Sequence, residues 1–322
     1  IDGADMRMIS TVHYGRGYDN AFWNGKQMVY GDGDGEVFLR FTRSLDVIAH
    51  ELAHGVTEHT CDLVYWEQPG ALNEHFSDVI GSLVKQWHLN QKAADADWLV
   101  GAELLGPELK QPPGLAVALR SLKAPGLAYD DPLLGRDPQP AHMKDLYKGA
   151  SDSGGVHINS GIPNHAFYRV ATAFGGYAWE KAGKIWWRAF TEKGRMSQRA
   201  SFREAAKETI EVAGLMYDSK AAKLVAAAWE AVGVVPLALK KPAPATAEPA
   251  KGKAAPKKKA PAPKKPAPKK SAPKKTTTKK PAPKKPPATK KAAPKAAAGK
   301  AAQKRTAASA LAARAARETR RG

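Results

Sequence analysis

The chain has 322 residues and a net charge of +20, but the charge is unevenly distributed. Residues 240–322 contain 27 Lys and Arg against 2 Asp and Glu, whereas residues 1–239 are slightly acidic and hold all 8 Trp, 9 Tyr and 8 Phe. The single Cys61 excludes a disulfide scaffold and a cysteine-rich zinc module. No apolar run approaches the ~18 residues that a membrane-spanning helix requires.

The first 45 residues are rich in glycine, aromatic residues and turn signals. They predict short strands over 10–14, 27–30 and 36–41, with a turn at 31–35. From Asp46 the spacing of apolar residues becomes helical, and a second helix is predicted over 71–90. Residues 106–156 are rich in proline and glycine and are predicted to be mostly loop. Three or four more helices are predicted to fill 162–233, over 163–174, 178–193, 201–213 and 219–231. This order, strands first and helices later, predicts an α+β fold.

The basic tail, residues 240–322, repeats a Pro-Ala-Pro-Lys-Lys unit. Such a segment has too little apolar surface for a core, so we expect a disordered, extended coil. Its charge favours contact with nucleic acid or another polyanion. A solvated tether without a dedicated partner is the alternative.

His50, Glu51 and His54 form an H-E-x-x-H motif on the first predicted helix. Four residues make about one helical turn, so both imidazoles project from one face, where they suit zinc. Glu51 lies one position along, where it can accept a proton from metal-bound water. The alternative is a chance match.

A catalytic zinc keeps one position open and takes three protein ligands. Glu74, on the second predicted helix, offers the third. Asn73 and Asp78 are placed to accept the free ring N–H groups of the two histidines. The competing interpretation is an exposed acidic helix face, and a structural metal site is disfavoured because only three ligands are offered.

His157 follows a glycine pair, and Asp152 lies five residues before it. The glycines permit a tight turn, which allows Asp152 to orient the ring. A lone histidine in a loop is more often solvated or packed in a core, so spacing alone leaves the role of His157 open.

Five ordered segments between about Ile9 and Val234 resemble the thermolysin family of secreted zinc neutral proteases, with details closest to its protealysin-like branch. They are residues 20–25, 28–35, 50–57, 70–74 and 154–161. The resemblance implies a thermolysin-like (gluzincin) fold with three parts. A partial N-terminal peptidase domain covers 1–66 and ends in the H-E-x-x-H helix, an α-helical C-terminal peptidase domain covers 67–236, and a disordered tail similar to those of linker histones covers 237–322.

The resemblance also implies a zinc endopeptidase that cleaves before bulky hydrophobic residues by Glu51-assisted attack of zinc-bound water. His50, His54 and Glu74 would bind the zinc. His157 and Tyr65 would stabilise the oxyanion, and Asp152 would hold the ring of His157. The implied substrate-binding residues are Asn20, Ala21 and Arg120, together with an apolar pocket of Phe38, Phe41, Val47 and Leu119.

Two departures from the family pattern are expected to matter. Lys85 stands where the family has a calcium ligand, and Leu99 and Ala102 replace further acidic ligands, so we predict no double calcium site. Only the last part of the family's β-rich N-terminal domain is represented, by residues 1–45, so that domain is expected to be incomplete. No signal peptide is visible, although the family predicts a secreted protein, and we expect a monomer. The alternative function is a polyanion-binding protein that carries an inactive protease remnant.

Overall fold

The computed structural model describes residues 4–110 and 115–237, so the predictions made for the basic tail lie outside the described residues. The strands are β1 (Ser10–Thr11), β2 (Ala21–Trp23), β3 (Met28–Tyr30), β4 (Leu99–Val100), β5 (Leu115–Ala116), β6 (Arg120–Ser121), β7 (Tyr129–Asp131) and β8 (Gly135–Arg136). The helices are α1 (Leu45–His59), α2 (Glu67–His88), α3 (Ser151–Asn159), α4 (Gly161–Phe174), α5 (Ala182–Thr191), α6 (Phe202–Met216) and α7 (Ser219–Ala231).

The first three strands form one small sheet in the order β1-β3-β2. Strand β1 runs parallel to β3, whereas β2 pairs with β3 in the antiparallel sense, with Ala21 opposite Tyr30. Strand β3 matches the prediction for 27–30, and the predicted strand at 10–14 shortens to β1. This sheet brings the edge strand β2 beside α1.

The strand predicted over 36–41 is wrong. The Asp34 carboxylate accepts hydrogen bonds from the backbone N–H groups of Glu36, Val37 and Phe38 at 2.8, 2.8 and 3.2 Å. These bonds curl the chain into a turn, which leaves a single bridge between Phe38 and Leu105. A short 3-10 helix follows at Phe41–Arg43. The turn directs Phe38 and Phe41 into the interior, where both are buried.

Helices α1 and α2 pack closely and carry most of the predicted site. Gly81 on α2 permits this approach, because a Cβ atom there would lie 2.4 Å from the backbone carbonyl oxygen of Asp46 on α1. Helix α2 begins at Glu67, four residues before the predicted start. Pro69 is tolerated in this first turn, where the missing N–H has no intrahelical partner to lose.

The remaining chain is mainly helical, and the predicted helices at 163–174, 178–193, 201–213 and 219–231 correspond to α4–α7. The core between them is aromatic, with Trp186 and Trp229 stacked at 6.2 Å between ring centroids. Residues 115–136, within the segment predicted to be mostly loop, contain the short strands β5–β8. Strands β5, β7 and β8 form one sheet, and β6 pairs with β4. The predicted α+β class is confirmed. Within residues 4–110 and 115–237, no helix is both long and apolar enough to cross a bilayer.

Candidate active site

His50, His54 and Glu74 converge where α1 meets α2. The Nε2 atoms of the two histidines lie 3.0 Å apart. The Glu74 carboxylate lies 3.3 Å from His50 Nε2 through Oε2 and 3.5 Å from His54 Nε2 through Oε1. A tetrahedral ion with bonds of about 2.0–2.1 Å has ligand atoms about 3.3–3.4 Å apart, so the spacing suits zinc.

The hydrogen bonds at the far side of each ring support a metal site. His50 Nδ1 donates to Asp78 Oδ1 at 2.9 Å, and His54 Nδ1 donates to Asn73 Oδ1 at 2.8 Å. When both rings are neutral, each presents an Nε2 lone pair, so two lone pairs face each other and favour a cation between them. Glu74 Oε2 is also buried without a hydrogen-bond partner among the described residues. The donor set therefore fits a metal ion.

The electrostatics of this cluster attract a positive charge. Burial alone would raise the pKa of Glu74. The nearby imidazoles of His157, His54 and His50 instead hold this pKa well below its usual value. Burial lowers the pKa of His50, yet the hydrogen bond to Asp78 and the adjacent Glu74 carboxylate raise it to about 10. The Glu74 and Asp78 carboxylates thus favour a positive charge at this point, as expected of ligands arranged around a cation.

His157 and Tyr65 both lie beside Glu74 Oε1. His157 Nδ1 donates to Asp152 Oδ1 at 2.6 Å, and its Nε2 lies 3.2 Å from the Tyr65 hydroxyl. Burial lowers the pKa of His157, but Glu74 and Asp152 together raise it. Burial and the neighbouring Glu74 carboxylate raise the pKa of Tyr65 well above its usual value. The Tyr65 hydroxyl donates its proton to Glu74 Oε1, and His157 Nε2 lies 3.4 Å from the same oxygen.

A left-handed turn explains how Asp152 reaches His157. Residues Asp152, Ser153, Gly154 and Gly155 have φ angles of 54, 51, 81 and 85°, so the chain reverses before the regular part of α3. Asp152 Oδ2 then caps that helical turn by accepting the backbone N–H groups of His157 and Ile158 at 2.8 and 3.1 Å. His157 thus lies in a helical turn rather than a loop, and the carboxylate fixes both its backbone and its ring.

A cavity of about 600 Å³ opens beside these groups. Glu51 lines it and is 6% exposed. The predicted substrate-binding residues all line the same cavity, namely Asn20, Ala21, Phe38, Phe41, Val47, Leu119 and Arg120. Arg120 makes a two-pronged ion pair with Asp78, from Nε to Oδ2 at 2.8 Å and from Nη2 to Oδ1 at 2.7 Å. Burial would raise the pKa of the Asp78 carboxyl, but Arg120 and His50 hold it well below its usual value.

Lys85, in the last turn of α2, contacts Asp46 in the first turn of α1. Its ammonium is 3.0 Å from Asp46 Oδ2 and 3.1 Å from Asp97 Oδ1, and it donates to the Leu99 carbonyl at 2.5 Å. The Asp46 side chain is 2% exposed, and the Lys85 side chain is 10% exposed. A fixed cation therefore neutralises a buried carboxylate here.

Two residues that contact the site are missing from the sequence-based predictions. Gln139 Nε2 donates to the backbone carbonyl of His157 at 2.7 Å. Asn164 Nδ2 donates to Asp78 Oδ2 at 2.9 Å and is fully buried on α4. Asn164 could have been predicted as a functional residue, because it is a polar residue on the apolar face of α4. Gln139 lies in a proline-rich segment without periodicity, and no sequence pattern indicates it.

Two models of known protein families together match most of the described chain. The family model described as "Thermolysin metallopeptidase, catalytic domain" matches residues 1–58, and "Thermolysin metallopeptidase, alpha-helical domain" matches residues 61–234. An extracellular metalloprotease of Pectobacterium carotovorum is 52% identical over 234 residues, 73% of this chain and 66% of the relative. Protease PrtS of a Photorhabdus strain is 52% identical over 236 residues, 73% of this chain and 62% of that protein.

The chain thus spans slightly less than two thirds of the length of these two relatives. Among solved structures, the precursor of protealysin, a metalloproteinase from Serratia proteamaculans, aligns with a TM-score of 0.69 and 56% identity. That alignment covers 73% of this chain and 71% of the other. With two family models matching in order over the same residues that form the site, the chain belongs to the thermolysin family of metallopeptidases.

Proposed function

We propose that this chain is a zinc-dependent endopeptidase, with His50, His54 and Glu74 as its metal ligands. The observation that carries the proposal is the pair of facing Nε2 atoms, 3.0 Å apart, beside a buried Glu74 oxygen that has no hydrogen-bond partner within residues 4–110 and 115–237. When bound, zinc supplies a Lewis acid that polarises the scissile carbonyl and acidifies water.

The side chains around the metal ligands have distinct roles in catalysis. Glu51 is the general base that accepts a proton from the attacking water and later delivers it to the leaving amine. His157 and Tyr65 donate hydrogen bonds to the oxygen of the peptide carbonyl as negative charge develops on it. Asp152 holds the His157 ring so that its Nε2 faces the substrate.

The cavity walls support an extended peptide with a bulky apolar residue after the scissile bond. Strand β2 lies at the edge of its sheet, where a peptide can add as a further strand beside Asn20 and Ala21. Phe38, Phe41, Val47 and Leu119 form the apolar wall that would hold the side chain. Arg120 is the candidate for binding a substrate carbonyl while Asp78 holds its guanidinium.

Replacement of Glu51 tests the proposal. Glu51→Gln should retain stoichiometric zinc and lower kcat on casein or a Gly-Leu peptide by about 10²–10⁴-fold, because the base is lost while the ligands stay. Glu58→Gln is the matched control, since Glu58 lies on the same helix and its side chain bonds Trp23 outside the cavity. Wild-type turnover in Glu51→Gln, or turnover that survives removal of zinc by phenanthroline, would contradict the proposal.

We propose that Lys85 takes the place of a calcium ion where other members of the family have a double calcium site. Its ammonium already contacts Asp46, Asp97 and the Leu99 carbonyl, and repels a divalent cation. With zinc kept saturating, the unfolding midpoint should be the same in calcium as in EGTA. A calcium-dependent rise in the midpoint would refute this assignment.

The basic tail supports a second, separable property, namely binding of nucleic acid or another polyanion. Its 27 Lys and Arg carry no interleaved aromatic residues, so contacts to phosphates or other anionic groups are favoured over readout of bases. Filter binding should fall steeply between low and high salt and vanish in a chain ending at residue 239; equal retention by both chains would contradict it. The completeness of the candidate active site disfavours the alternative of an inactive protease remnant.

We also propose that the protein is secreted and monomeric. The Pectobacterium relative is named an extracellular metalloprotease, which supports export of this protein. Detection of the chain in culture medium and sedimentation of the purified protein test these two points.

A further inference from the structure

We infer that Trp186, His75 and Asn164 form a directional hydrogen-bond relay that positions Asp78, and through Asp78 sets the tautomer of the proposed metal ligand His50. This inference rests on the proposed zinc site. It concerns positioning residues only, because none of the three lines the cavity. Trp186, His75, Asn164 and Asp78 are all fully buried.

The relay begins with a group that can only donate. The indole Nε1–H of Trp186 donates to His75 Nε2 at 2.7 Å. An indole has no acceptor, so His75 Nε2 must hold a lone pair and the proton must lie on Nδ1. His75 Nδ1 then donates to Asn164 Oδ1 at 2.8 Å. The tautomer of the His75 ring is therefore set by Trp186.

The same direction continues to the carboxylate. Because Asn164 Oδ1 accepts from His75, its amide Nδ2 must face Asp78, and it donates to Asp78 Oδ2 at 2.9 Å. The reversed amide would place Nδ2 against the N–H of His75 and its oxygen against the carboxylate. Both contacts would be repulsive, so one orientation is selected.

Each carboxylate oxygen of Asp78 therefore accepts two hydrogen bonds. Its Oδ1 accepts from His50 Nδ1 at 2.9 Å and Arg120 Nη2 at 2.7 Å, and its Oδ2 accepts from Arg120 Nε at 2.8 Å and Asn164 Nδ2 at 2.9 Å. Four donors define the position of both oxygens. The proton on His50 is then drawn to Nδ1, which leaves the Nε2 lone pair for the metal. Loss of any link loosens the carboxylate without touching a metal ligand.

Trp186→Phe tests the relay, because it removes the indole N–H and keeps an aromatic ring. Trp229→Phe is the matched control. Trp229 is equally buried, stacks on Trp186, and donates its own Nε1–H to Thr209 Oγ1 at 2.9 Å, away from Asp78. Both variants lose one buried hydrogen bond in the same core, so a general loss of packing affects them alike.

The first readout is the zinc dissociation constant, measured by competition with a chelator. Asn164→Ala should weaken zinc about tenfold, and Trp186→Phe, two links farther from Asp78, about threefold, while Trp229→Phe stays at the wild-type value. His75→Gln offers an acceptor and a donor in one side chain and should keep wild-type affinity, whereas His75→Leu should lose as much as Trp186→Phe. Equal affinities in Trp186→Phe, His75→Leu and Trp229→Phe would overturn the relay.

The second readout uses the metal-free protein and does not depend on the proposed function. Long-range ¹H–¹⁵N correlation spectra of histidine-labelled protein should show His75 as the Nδ1–H tautomer in the wild type and in Trp229→Phe, and a mixture in Trp186→Phe. An Nε2–H tautomer in the wild type would overturn the relay even if zinc binds. A wild-type protein that binds no zinc would instead refute the proposed metal site, while the tautomer still tests the order of hydrogen bonds.

Discussion

Replacing Lys85 by methionine should destabilise the fold by leaving the Asp46 carboxylate buried and unpaired. Removing one partner of a buried ion pair costs about 3–5 kcal/mol. The lower end applies here, because Asp46 keeps bonds from the Ser44 hydroxyl at 2.5 Å and the Gly101 N–H at 3.3 Å. Asp97 is 46% exposed, so its contact with Lys85 adds little. We therefore expect a loss of about 3 kcal/mol, which lowers Tm by about 6–12 °C.

Urea unfolding with zinc held saturating measures this loss. Lys92→Met is the control, since Lys92 is an exposed lysine in the segment that follows α2. The double variant Asp46→Asn with Lys85→Met should recover part of the stability, because it removes the unpaired charge. If Lys85→Met unfolds at the same urea concentration as Lys92→Met, the ammonium does not neutralise Asp46 in the way described.

Two further predictions concern α2. Gly81→Ala should lower the free energy of unfolding by about 1–3 kcal/mol, because the new Cβ would lie 2.4 Å from the Asp46 carbonyl oxygen. The control Gly214→Ala should be neutral or stabilising, because its Cβ would lie 3.6 Å from Ala222. Equal urea midpoints for the two variants would contradict this prediction. Burial lowers the pKa of His75 to about 4 in the folded protein, below the value of about 6.5 expected in the unfolded chain. As the pH falls from about 6.5 to about 4, His75 therefore gains its proton in the unfolded chain before it does in the folded protein. The free energy of unfolding of the metal-free protein should fall by about 3 kcal/mol over this range. His75→Gln should flatten this dependence, and an unchanged slope in that variant would refute the assignment.

Much of the candidate site could be predicted because it is local in sequence. His50 and His54 are one helical turn apart, and Asn73, Glu74 and Asp78 follow on the next helix, so helical periodicity alone brings these side chains to facing surfaces. The order of strands and helices likewise followed from the change in apolar spacing near residue 45.

The parts that sequence reasoning missed depend on contacts between distant segments. His75 meets Asn164 across 89 residues and Trp186 across 111 residues, and no local pattern relates these positions. The strand predicted over 36–41 failed for a different reason. The Asp34 side chain accepts hydrogen bonds from the backbone N–H groups that a sheet would need. The spacing of apolar residues cannot predict this competition.

The most direct test of the central claim is X-ray absorption spectroscopy on the purified, metal-loaded chain, combined with metal analysis. We predict one zinc per chain, two imidazole nitrogens at about 2.0–2.1 Å and a remaining shell of oxygen ligands, one of them exchangeable water. Replacing His50 by alanine should abolish this zinc. Absence of stoichiometric zinc, or a fourth protein ligand closing the shell, would contradict it.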